Sequence, residues 1–314
     1  MKKVLTLLFC VFIFAGFQSQ VLDLIKDKAK NLAKDKVTNV AGAKVNNLIT
    51  TEAITTNFKD CDDQNIKSPD TWNNASYKNL CSTEFTNKGF ALSPGYYEIN
   101  LKSFCLKAGT YAPSKGDGYL YAPLKGPKKE IVDKLVKNWY KNQQIPQTDV
   151  QALLWAIIAK ADFKNLSPQL QMAAAKLLSP KDILALNKMG LDFVPSGVMN
   201  NVKSNLPKSV QLVLDAENKM RQLFSSNSYS YSQLEKYAML AGFNNEKSSI
   251  SYGTWGWHPA GFWISYQPNG YAKTKVKIYV PENTATVYYL PSNDVAVPAN
   301  TSSQRIMLSD VKDC

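Results

Sequence analysis

The sequence predicts an α+β protein, and three observations carry that reading. Tyr97 to Leu106 alternates apolar and polar residues, helical periodicity takes over after Pro127, and aromatic, strand-like sequence replaces it after Ser251. The expected order is an N-terminal amphipathic helix, a short β part leading into a helical bundle, and a C-terminal antiparallel β hairpin or sheet. The changes of texture set the boundaries. Residues 1–20 read as a signal peptide, 21–56 as an amphipathic helical segment, 57–245 as a mixed β/helical core, and 246–314 as an aromatic-rich β segment with a polar tail.

Lys2 and Lys3 precede an apolar run from Val4 to Phe17, and Gly16, Gln18 and Ser19 follow. That is a charged region, a hydrophobic region and a cleavage zone, the layout of a secretory signal peptide. The run is too short for a membrane span. Cys10 lies between Phe9 and Val11, whereas a lipoprotein signal wants small residues before its cysteine. No later stretch reaches eighteen apolar residues, so no integral membrane span is expected after cleavage. The protein is expected to be secreted or held at the cell surface.

Residues 21–49 carry apolar positions at Leu22, Ile25, Ala29, Leu32, Val37, Val40 and Leu48, drifting toward an eleven-residue spacing. Asp23, Asp27 and Asp35 dilute the basic face, which favours packing over lying on a membrane. Residues 57–95 are polar and turn-rich, and Cys61 and Cys81 bracket most of them. With Cys105 and Cys314 they make four cysteines in the exported chain, where disulfides are the default and three full pairings exist. A Cys61–Cys81 bond would close about twenty residues and contribute roughly 3 kcal/mol in the chain-entropy account.

On the strand that follows, Tyr97, Ile99, Leu101, Ser103 and Cys105 share one face, with Glu98, Asn100 and Lys102 on the other. A helix after Pro127 presents Val132, Leu135, Val136 and Trp139. A second begins near Thr148 with Val150, Leu153, Leu154 and Ile157. Ser167-Pro168 and Ser179-Pro180 are N-cap and first-turn proline pairs. Helical pattern continues through Val210–Phe224 and Gln233–Ala241. Gln267-Pro-Asn-Gly270 is a turn before the alternating strand from Lys273 to Val280, and Val287 to Leu290 suggests a third strand. The last two dozen residues read as a polar tail.

Composition excludes several functions. A single histidine, His258, rules out His-rich metal sites and any mechanism needing two imidazoles. No C-x-x-C or phosphate loop is present, so neither a metal nor a cofactor is expected. The formal charge is +12, or +10 once residues 1–20 are removed, and the excess is lysine. Charge alone is a weak argument for nucleic acid, and export argues against it, so no nucleic-acid partner is expected.

Cys105 and Gln151 stand out as a pair. Phe104-Cys105-Leu106 lies on a strand, and Val150-Gln151-Ala152-Leu153-Leu154-Trp155 opens a helix. Over about residues 95–165 the chain resembles the thioester domains of Gram-positive surface adhesins. There an aromatic-Cys-hydrophobic motif on a strand meets a Gln-x-x-hydrophobic-Trp motif opening a helix. The resemblance implies that the cysteine sulfur displaces ammonia from the glutamine and leaves an internal thioester. Phe104, Leu106, Leu154 and Trp155 would then line it. A thiolate is a strong nucleophile and an amide a poor electrophile, so the two must be held together, away from water.

Other readings of the same residues stay open. Thr148-x-x-Gln151 is also a capping box, with Gln151 reaching back to the helix start. Cys105 could pair with Cys61, Cys81 or Cys314. His258 could serve a Cys–His hydrolase, but no motif places a residue to orient it. Trp255, Trp257, Trp263 and Tyr266, with Tyr271, form a candidate aromatic binding face, with hairpin packing as the alternative. The expected function is therefore that of a non-enzymatic, exported binding protein used in adhesion, with a Cys105–Gln151 thioester capturing an amine on a partner surface. The alternative is a disulfide-stabilised carbohydrate- or envelope-binding protein.

Overall fold

Alternation along the chain builds one large sheet, and an apolar helix packs against the end of its central strand. The computed structural model describes residues 46–47, 49–114, 116–187, 196–226, 229–242, 248–300 and 302–314. The signal peptide expected at 1–20 and most of the helical segment expected at 21–56 lie outside the described residues. The elements below belong to the compact unit Glu52–Cys314.

Nine strands form the sheet: β1 Ile66–Lys67, β2 Lys78–Asn79, β3 Gly95–Cys105, β4 Tyr119–Pro123, β5 Trp255–His258, β6 Phe262–Pro268, β7 Lys273–Val280, β8 Asp294–Pro298 and β9 Ile306–Lys312. Their order is β1-β5-β6-β7-β3-β9-β8-β4, with β2 also on β3. All pairings are antiparallel except the short β2–β3 contact. The sheet curls until β4 lies over β5: the Tyr121 and His258 rings are 4.4 Å apart. A Cβ on Gly256 would come within 3.0 Å of Leu120.

This corrects the expected layout. A short β part followed, after a bundle, by a separate C-terminal hairpin or sheet does not occur. β3 is the middle of the sheet, and strands from the C-terminal third flank it on both edges. β7 pairs with it from Gly95 to Lys102, and β9 pairs with its far end through Cys105. The supposed polar tail contains β9, whose residues Ile306 to Val311 are all buried. Alternation shows which face a strand buries but not which strand it pairs with. β9 escaped notice because burial on both faces removes the alternation. Val287–Tyr289 does add a strand, but it pairs with Phe90–Leu92 outside the main sheet.

Among the described residues, seven α-helices follow β4: α1 Lys129–Trp139, α2 Gln147–Ile158, α3 Pro168–Leu177, α4 Pro180–Asn187, α5 Ser196–Ser204, α6 Lys208–Ser225 and α7 Tyr231–Ala238. Ser167 caps α3 by accepting from the Leu170 amide, and Ser179 accepts from the Asp182 amide at the start of α4. α2 is the hub, packed by α1, α3, α6 and α7. Every residue from Val150 to Ile158 is buried, as expected of a helix apolar on all sides. Its neighbours and the inward face of β3 share one continuous core.

Candidate functional site

The site forms where β3 outruns β7. Up to Lys102, β7 supplies the hydrogen-bond partners along that edge of β3. The Ser103 amide still bonds Ala272, in the turn after β6. Two residues further on, the Cys105 amide and carbonyl point the same way and find no strand. Gln151 takes that place. Its Oε1 accepts from the Cys105 amide at 2.9 Å, and its Nε2 donates to the Cys105 carbonyl at 3.1 Å. The side-chain amide extends the ladder by one residue. A buried amide without partners is costly; here both of its polar atoms are satisfied, and Gln151 is 1% exposed.

One turn earlier on α2, Gln147 does the same for the neighbouring peptides, donating to Ser103 and Ala272 carbonyls at 3.0 and 2.8 Å. One turn later, the Trp155 indole N–H donates to the Cys105 sulfur at 3.0 Å. Gln147, Gln151 and Trp155, four residues apart, form a stripe on one helix face. Cys105 is wholly buried and makes no disulfide. Burial pushes its thiol pKa well above the ordinary range, and the Trp155 hydrogen bond only partly offsets this. At neutral pH the thiol therefore keeps its proton.

Of the four residues expected to line the pair, Trp155 touches the sulfur. Phe104 turns to the other side of the strand and packs edge-on against Trp139 at 5.2 Å. Leu106 and Leu154 are fully buried in the same core. The capping reading of Gln151 is corrected: α2 starts after Pro146 without a side-chain cap, and the Gln151 amide is spent on Cys105.

The expected Cys61–Cys81 disulfide is also corrected. Cys81 bonds Cys314, with Cα atoms 5.9 Å apart, and Cys61 is free. Lys312 donates to the Cys81 and Thr83 carbonyls at 2.9 and 2.7 Å, which brings the end of β9 to that loop. Cys61 sits under β4, and burial with Asp60 and Asp63 nearby pushes its thiol up to about 12.

His258 is a strand residue. Its Nδ1 accepts from the Ala260 amide, so Nε2 carries the proton and faces Asp294 Oδ1 at 3.2 Å. Neither nitrogen bonds Cys105, which removes the Cys–His arrangement. The aromatic set divides in two. Tyr266 points inward and donates to Asp294 at 2.7 Å, and Trp255 is fully buried beneath Trp72. Trp257 and Trp263 remain half-buried on the outer face. There they continue in register into Tyr279 and Tyr96, one row across β5, β6, β7 and β3. Lys67 lies 4.5 Å from the Trp263 ring centre and Lys277 4.4 Å from that of Tyr77.

Sequence reasoning missed Gln147, Tyr231 and Glu235, and it read Tyr271 only as part of the aromatic face; Tyr231, Tyr271 and Glu235 gather over Trp155. The four-residue spacing of Gln147 and Gln151 was a usable signal. Tyr231 and Glu235 share one face of α7, but Tyr271 comes from the turn before β7, and no local pattern joins it to them. Among the described residues, no three His, Cys, Asp or Glu side chains gather as a metal-holding group. No helix among them is long and apolar enough to cross a membrane. No protein-family model, curated protein or solved structure matches this chain.

Proposed function

We propose that Cys105 and Gln151 condense to an internal thioester, and that this exported binding protein uses it to capture an amine on a partner surface. One observation carries the reading: the buried glutamine amide is clamped to the backbone of the residue that bears the buried free thiol, and an indole N–H donates to that sulfur. The chemistry balances. The Cys105 sulfur attacks the Gln151 carbonyl carbon, the carbon–sulfur bond forms, and the carbon–nitrogen bond breaks. The amide nitrogen leaves as ammonia with the thiol proton.

Each group in the clamp suits a step. The Cys105 amide already donates to Oε1, where negative charge develops in the tetrahedral intermediate. The Trp155 N–H stabilises a developing thiolate. Holding both reactants in one place lowers the entropic part of the barrier. Exclusion of water protects the product from hydrolysis. The resemblance of Phe104-Cys105-Leu106 and the Gln151 segment to adhesin thioester domains points the same way.

A thiol count tests this. Denatured, non-reduced protein starting near residue 21 should release one titratable thiol, from Cys61, if the thioester is present. Cys105→Ala should still show one, and Gln151→Ala should show two. Two thiols in fresh wild-type protein would contradict the proposal. The row Trp257, Trp263, Tyr279 and Tyr96 favours a second reading, a sugar-stacking surface. If it holds, Trp263→Ala should abolish retention on immobilised polysaccharide and leave the thiol count unchanged.

A further inference from the structure

Over Trp155 lies a group of side chains the thioester itself does not use. Trp155 is fully buried, and two half-buried tyrosines lie over it, with ring centres 5.2 Å (Tyr231) and 6.1 Å (Tyr271) from its own. The Tyr231 and Tyr271 hydroxyls are 2.7 Å apart, and Tyr271 donates a short hydrogen bond to the Glu235 carboxylate.

Two elements converge to make this group. Tyr231 and Glu235 stand four residues apart on α7, so they share a face. A reciprocal Ser230–Gln233 capping box holds the start of that helix. Tyr271 comes from the turn between β6 and β7, where Gly270 adopts φ +66°. That turn is tied to the site itself: the Tyr271 carbonyl accepts from the Ser103 hydroxyl at 2.9 Å, and Ala272 accepts from Gln147. The same turn therefore fixes both the entry and the end of β3.

We propose that Tyr231, Tyr271 and Glu235 form the entry to the Cys105–Gln151 pair, and that they favour cationic primary amines and accept their proton. This inference rests on the thioester reading. Because Tyr271 donates to Glu235, Tyr231 donates to Tyr271, and the Tyr231 oxygen is left to accept. Burial and the bond to Glu235 keep the Tyr271 phenol protonated. Burial raises the Tyr231 phenol, and the nearby Cys105 and Glu235 push the same way.

An incoming ammonium is drawn to the half-buried Glu235 carboxylate and first loses a proton to solvent, which leaves that carboxylate free to accept the next one. The neutral amine then attacks the Gln151 carbonyl carbon, forming a carbon–nitrogen bond. Its remaining excess proton passes to the Tyr231 oxygen. The Tyr231 proton moves to Tyr271, and the Tyr271 proton to a carboxylate at Glu235. The carbon–sulfur bond breaks, and the Cys105 thiolate takes a proton from solvent. The product is an amide at Gln151 and a free thiol.

The test follows the opening of the thioester by methylamine, a cation at neutral pH, and by hydroxylamine, which is mostly neutral there. Glu235→Gln and Tyr271→Phe should each still carry the thioester. Each should open with methylamine about 100-fold more slowly or worse, the usual scale of a lost proton acceptor. Hydroxylamine should be slowed about tenfold or less, and Glu235→Asp should recover most of the methylamine rate. In the wild type, added salt should lower the methylamine-to-hydroxylamine ratio. That measurement decides the matter if the variants do not fold. Variants that carry the thioester yet open at the wild-type rate overturn the inference, as does an equal slowing for both nucleophiles without rescue by Asp. A salt-independent ratio overturns it too. A wild type that never loses ammonia overturns the thioester reading instead.

Discussion

Helix α2 buries polar groups at both ends by opposite means. Its first turns carry Gln147 and Gln151, neutral amides that complete the edge of β3 with direct hydrogen bonds. Its other end runs into charge. Lys160, in the left-handed region at φ 56°, lies 3.8 Å from Glu217, and Arg221 donates to the Ala159 carbonyl. All three side chains are nearly inaccessible. Cations at a helix C-terminus meet the negative end of its dipole, which gives Lys160 and Arg221 a physical reason to sit there. Burial raises the Glu217 carboxyl to about 7, against the pull of Lys160. The neutral end is satisfied pairwise and leaves a thiol beside an amide; the charged end is satisfied only as a group.

The comparison predicts unequal costs. The largest should come from Arg221→Ala, which orphans the Ala159 carbonyl and leaves the Lys160–Glu217 pair with one cation fewer. Breaking a buried ionic group costs about 3–5 kcal/mol, and denaturant unfolding measures it.

Next is the pH dependence of the charged end. The folded carboxyl of Glu217 titrates near 7, above its ordinary 4.5. The stability it confers is therefore fully present below about pH 4.5 and lost as pH rises through about 7. Wild type should lose up to about 3 kcal/mol over that window relative to Glu217→Gln. A difference that stays flat from acid to neutral pH would show that the carboxyl is not raised.

The neutral end should respond less. Gln151→Leu strands the amide and carbonyl of Cys105 and should cost about 1–3 kcal/mol more than Cys105→Ala, which keeps both bonds. Gln147→Ala, at the partly exposed edge, should cost about 1 kcal/mol. If Gln151→Leu proved as costly as Arg221→Ala, the contrast between the two ends would fail.

The sequence made much of the neutral end readable. The alternation of Tyr97, Ile99, Leu101, Ser103 and Cys105 shows one buried face, and Gln151 stands out as the polar residue in the otherwise apolar run Val150–Ile158. Their meeting was legible only through the two motifs read together. The rest depends on contacts between distant segments. Pairing of β9 with β3, and of Cys81 with Cys314 across 233 residues, leaves no local trace. The cluster of Lys160, Glu217 and Arg221 likewise joins two helices that only tertiary packing brings together. Among the entry residues, the meeting of Tyr271 with Tyr231 and Glu235 follows the same rule.

The most direct test of the account is the intact mass of freshly purified wild-type protein, read without reduction, before and after methylamine. The account predicts a mass below that of the mature sequence by the two hydrogens of the Cys81–Cys314 bond and by one further ammonia. Methylamine should then add its full mass and expose the Cys105 thiol. A wild-type mass that lacks only the disulfide hydrogens, and that methylamine leaves unchanged, would contradict it. Gln151 would then be no more than the residue that completes the edge of β3.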